Sequence, residues 1–105
     1  MKIRTGHVAK SNSTIFIIIC EQMCREVLEE VFLPQDYLYN EIAEYTINYI
    51  LNNYIEADIV DDRYRIKALQ RGQKIYTVEE SSYGWSPMAY IEPNHESSGI
   101  YITRE

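Results

Sequence analysis

Six consecutive apolar residues, Ile15-Phe16-Ile17-Ile18-Ile19-Cys20, constrain this 105-residue chain more than any other stretch. A membrane-spanning helix needs roughly 20 such residues, so the run is too short to cross a bilayer. Its β-branched and aromatic members favour an extended backbone. Both alternating faces are apolar, which is the pattern of a strand covered on two sides. Thr14–Ile19 is therefore the expected central strand, and a chain of this length buries about two-thirds of its unfolded surface on folding. A single domain, 1–105, is expected.

From Cys20 the period turns helical. Cys20, Cys24, Val27, Leu28 and Val31 share one face, and Glu21, Arg25, Glu26, Glu29 and Glu30 occupy the rest. Pro34 ends this helix. Asp36 can cap a second one, running to about Tyr54, with Leu38, Ile42, Ala43, Ile47, Ile50, Leu51 and Tyr54 along a wide apolar arc. Residues 62–71 admit two readings. Tyr64, Ile66 and Ala68 alternate with Arg63, Arg65 and Lys67 as in a strand, whereas Asp61 and Asp62 as caps, Arg71 in the last turn and Gly72 just beyond it favour a helix.

Lys74–Glu79 and Ile100–Thr103 read as further strands, with Met88–Ile91 as a short additional one. Residues 80–99, which hold Gly84, Pro87, Pro93, Gly99 and five serines, read as one long loop. The expected fold class is α+β: a small three- to four-stranded sheet with two main helices packed on one face.

Composition fits a packed domain rather than a disordered segment, with 46% of residues hydrophobic and 25% charged. The net charge of −6 is uneven. Residues 1–10 carry +3, residues 11–62 carry eleven acids against Arg25 alone, and residues 63–105 come to +1. No apolar stretch follows Lys2 and Arg4 as a secretory signal requires, so a cytoplasmic protein is expected. In that reducing compartment Cys20 and Cys24, four apart on the apolar face of the first helix, are expected to be free, buried thiols.

The opening residues, with Gly6, Val8, Ser11, Asn12, Ser13 and Phe16 after a basic lead-in, resemble the start of a group of uncharacterised phage and bacterial proteins. Their pattern is Gly-Phe-Val-Ser-Asn, a serine run, then Phe and aliphatics. The likeness covers residues 1–18; His7 replaces the aromatic, and Ala9-Lys10 interrupts the serine run. It implies a phage or prophage origin and brings no activity with it.

Several groupings invite chemistry, and most have a plainer reading. The Gly, Ser, Thr and Lys of residues 6–14 suggest a phosphate cradle, but the segment precedes a strand instead of following one, and Gly-Lys-Ser/Thr is absent. Cys20, Cys24, His7 and His95 lack the spacing of a zinc site. Glu56, Asp58, Asp61 and Asp62 read as a solvated turn, since no calcium-loop pattern accompanies them. No Ser–His–Asp or Cys–His grouping can be assembled. Neither catalysis nor a cofactor or metal is therefore expected.

Three surfaces remain as binding candidates. Arg63, Arg65, Lys67, Arg71 and Lys74 place five positive charges within twelve residues and form a basic stripe on a helix or a strand, suited to phosphate or an acidic partner. Glu26, Glu29, Glu30, Glu41 and Glu44 form an acidic face that imitates rows of phosphates. Tyr83, Trp85, Met88 and Tyr90 concentrate in one loop the residue types that dominate interface hot spots. The expectation is a small acidic cytoplasmic protein–protein interaction module, encoded by a phage or prophage and inhibiting or modulating a host or defence protein. The alternative is a small nucleotide- or nucleic-acid-binding protein that uses the basic stripe. The partner is expected to be a protein, with a homo-oligomer as a further candidate and no membrane.

Overall fold

The structure is a computed structural model and describes residues 13–32, 40–57, 60–81, 94–97 and 99–104. Its centre is β1 (Ser13–Cys20), flanked by β3 (Lys74–Ser81) on one edge and β5 (Ile100–Arg104) on the other. Two short strands, β2 (Ile55–Glu56) and β4 (His95–Ser97), complete a five-stranded sheet in the order β2-β3-β1-β5-β4. Every neighbouring pair is antiparallel.

Register fixes which side chains share a face. Phe16 lies opposite Val78, and Ile18 lies opposite Tyr76 on one side and Ile102 on the other. These residues, with Cys20 and Ile100, pack beneath α1 (Arg25–Phe32) and α2 (Asn40–Asn53) through Leu28, Val31, Phe32, Ala43, Ile47 and Ile50. Because strand side chains alternate, Ile17 and Ile19 point the other way. They meet Val60, Tyr64, Ala68 and Tyr101 beneath α3 (Asp62–Arg71). Ile17, Ile18 and Ile19 are all fully buried, so β1 is covered on both faces, as its pattern demanded.

The α+β class agrees with the sequence reading, and three features differ from it. The sheet has five strands rather than three or four, because a two-residue and a three-residue strand add to its edges. Such segments are too short to show alternation. Two helices do cover one face, but a third covers the other. Residues 62–71 are that third helix, with Asp61 as its N-cap and Gly72 in the left-handed region at φ 65°. Finally, α1 begins at Arg25, and not near Cys20. Pairing of Cys20 with Lys74 and Ile100 holds the chain extended to that point, and a bend at residues 21–22 follows.

Within the stretch read as one long loop, β4 pairs with β5, His95 opposite Ile102 and Ser97 opposite Ile100, and Asn94, just before β4, has φ 60°. Asp36, which was expected to cap α2, and Met88–Ile91 lie outside the described residues. Among the described residues no helix is long and apolar enough to cross a membrane.

Candidate functional site

The five cations of the expected stripe divide into three groups once α3 is in place. Tyr64 and Ala68 face the sheet, so Lys67 and Arg71, on the neighbouring flank, run along the β4–β5 hairpin. Both reach one carboxylate. Lys67 Nζ lies 3.5 Å and Arg71 Nη1 2.7 Å from Glu96 Oε1. Arg71 also donates to the Ser97 carbonyl at 3.2 Å and to Gln73 Oε1 at 2.6 Å. The Lys67 ammonium stands 4.4 Å from the centroid of the Tyr101 ring, whose hydroxyl donates to Asn94 Oδ1. This half of the stripe fastens α3 to the sheet edge.

Arg63 folds back on the helix cap. Its backbone N–H and its Nε both donate to Asp61 Oδ1, at 2.9 and 3.1 Å. Those two donors hold the Asp61 carboxyl below the usual carboxylate range. Arg65 and Lys74 are exposed, the former on the outer side of α3 and the latter at the start of β3.

The acidic candidates are similarly divided. Arg25, at the first position of α1, forms an ion pair with Glu44 of α2, approaches Glu29 at 3.4 Å and donates to Asn48 Oδ1 at 3.2 Å. Two of the five carboxylates are therefore matched by one guanidinium that ties α1 to α2, and those partners raise the Arg25 pKa. Glu26 accepts from its own backbone N–H and from the Cys24 side chain, which lowers its pKa. Such contacts are natural for a carboxylate in the first turn of a helix. Glu30 reaches over the β4–β5 turn towards Ser97 Oγ, and Glu41 is exposed at the start of α2. The row of phosphate-like charges is thus broken by Arg25.

Cys20 closes β1 in full burial, and its thiol is pushed up to about 11, by desolvation first and by Cys24 second. Cys24 is only half-buried and precedes α1, so the placement of both thiols on the apolar face of a helix is corrected. Of the carboxylate turn, Asp61 is a buried helix cap, Glu56 is exposed in β2, and Asp58 lies outside the described residues. His7 and the aromatic loop with Tyr83, Trp85, Met88 and Tyr90 also lie outside them. Among the described residues no group of three or more His, Cys, Asp or Glu side chains is placed to hold a metal ion.

Sequence reasoning missed the apolar side chains that the fold leaves in solvent: Tyr45 at 58% exposure on α2, and Ile66 at 54% and Leu69 at 75% on α3. A signal for the last two was present. With Tyr64 and Ala68 inward, a 3.6-residue period turns Ile66 and Leu69 outward together. Searches against family models, characterised proteins and solved structures found no match to this chain.

Proposed function

We propose that this chain is a small cytoplasmic protein-binding module that acts by occupying a partner's surface and not by catalysing a reaction. One contrast carries the reading. Arg25, Lys67 and Arg71 are each engaged by carboxylates of the chain itself, whereas Ile66 and Leu69, three apart on one helix, stand together in solvent. Single exposed apolar residues are ordinary, but adjacent ones on the outer side of a helix make a patch of the kind that partners cover. The resemblance of residues 1–18 to uncharacterised phage and bacterial proteins, which implies a phage or prophage origin, extends the proposal to an inhibitor or modulator of a host or defence protein. Tyr83, Trp85, Met88 and Tyr90 supply residue types suited to a second contact. The alternative, phosphate recognition by Arg63, Arg65, Lys67, Arg71 and Lys74, draws less support because Lys67 and Arg71 already share Glu96.

Tagged chain is incubated with nuclease-treated host lysate, retained proteins are identified, and the complex is rebuilt from purified components. A stoichiometric complex that persists at high salt is the expected result. Retention of nucleic acid alone from a parallel lysate without nuclease, lost steeply with added salt, would refute the reading in favour of the alternative.

A further inference from the structure

The outward side of α3 differs from the rest of this acidic protein in both polarity and charge. Residues 62–74 carry five cations against one acid, Asp62, in a chain of net charge −6. Tyr64 and Ala68 face the sheet, and Lys67 and Arg71 turn towards Glu96. The solvent side that remains holds Ile66 and Leu69 with exposed Gln70, Arg65 four residues before Leu69 and Asp62 four residues before Ile66. Apolar anchors beside the exposed Arg65 guanidinium complement a segment that alternates carboxylates with aliphatic or aromatic side chains.

We infer that the outer face of α3 docks an acidic amphipathic segment of a partner protein, with Ile66 and Leu69 buried against its apolar side and Arg65 paired with its carboxylates. This rests on the binding-module reading and names the surface and the partner's chemistry. Charge decides between occupants. A nucleic acid would seek cations without apolar neighbours, yet the most exposed large hydrophobic described anywhere on the chain is Leu69. A second copy offers Glu26, Glu30 and Glu41 as the acidic side, but such a head-to-tail contact does not close on itself.

The probe is a random 16-residue peptide library displayed on phage, selected on the immobilised chain and counter-selected on Leu69→Asp. Leu69 is mostly solvated, so the variant keeps the fold, which its melting curve checks. The expected result is enrichment of peptides rich in Asp and Glu with interspersed apolar residues. Their affinity should fall roughly tenfold or more with Leu69→Asp and with Arg65→Glu, and return when a peptide acid is exchanged for lysine against Arg65→Glu. Enrichment of basic peptides, or of peptides indifferent to both substitutions, overturns the α3 site and leaves the binding-module reading standing. Failure to enrich any peptide counts against both. Sedimentation showing a dimer that Leu69→Asp dissolves assigns the face to self-association and also overturns the inference.

Discussion

Replacing one isoleucine on each side of β1 separates a sheet covered on both faces from one covered on a single face. Ile17 and Ile18 are adjacent and fully buried, but Ile18 packs under α1 and α2 while Ile17 packs under α3 and Val60. Ile→Ala removes three carbons, worth roughly 2.4 kcal/mol of transfer free energy at about 0.8 kcal/mol per methylene, and the residual cavity brings the cost to about 3–4 kcal/mol. Both substitutions should cost this much. For a domain whose total stability lies at about 5–15 kcal/mol, either loss is large and easily read. Urea titration followed by far-ultraviolet circular dichroism is the assay, with midpoints falling by on the order of 1–2 M and unchanged slopes. Ile17→Val should cost only about 1 kcal/mol, which checks that the effect scales with volume. If Ile17→Ala shifts stability by less than about 0.5 kcal/mol while Ile18→Ala behaves as stated, α3 does not cover the second face and the two-sided core is refuted.

Three further outcomes follow from particular contacts. The Cys20 thiol has its folded pKa raised from 9.0 to about 11, so its contribution to stability is complete below pH 9 and is lost as pH rises towards 11. Urea midpoints of the wild type should therefore fall across that window by more than those of Cys20→Ala; parallel curves would exclude burial of the thiol. Glu96→Gln removes the carboxylate shared by Lys67 and Arg71, and because Glu96 is 47% exposed the cost should stay within about 1 kcal/mol and shrink at high salt. A loss of several kcal/mol that does not respond to salt would show that the hairpin is held in another way. Gly72→Ala meets no atom within 4 Å but must hold φ 65°, so it should cost about 1–2 kcal/mol. Gly99→Ala, whose added carbon would sit 2.9 Å from the movable Glu30 carboxylate, should cost less, and thermal melts of the two variants test the order.

What the sequence determined by itself is whatever depends on neighbours along the chain. Uninterrupted β-branched residues make β1 extended, and apolar faces on both sides require that it be internal. Asp61 and Gly72 bound α3 because a cap needs an acceptor at one end and a left-handed residue at the other. The class α+β followed from these periods. Tertiary structure decided the rest, because the deciding partners lie far away in sequence. Cys20 belongs to the strand and not to the helix, since Lys74 and Ile100 pair with it across the sheet. β2 and β4 exist because β3 and β5 offer them edges, and their own residues carry no period long enough to read. Among the candidate surfaces, sequence reading found the charges but not their fate. Lys67 and Arg71 meet Glu96 across 29 and 25 residues of chain, and Arg25 meets Glu44 across 19, so local spacing could not distinguish an internal fastening from an open binding face. Ile66 and Leu69 became a surface patch for the same reason: the sheet chose which side of α3 to bury, and they lie on the other.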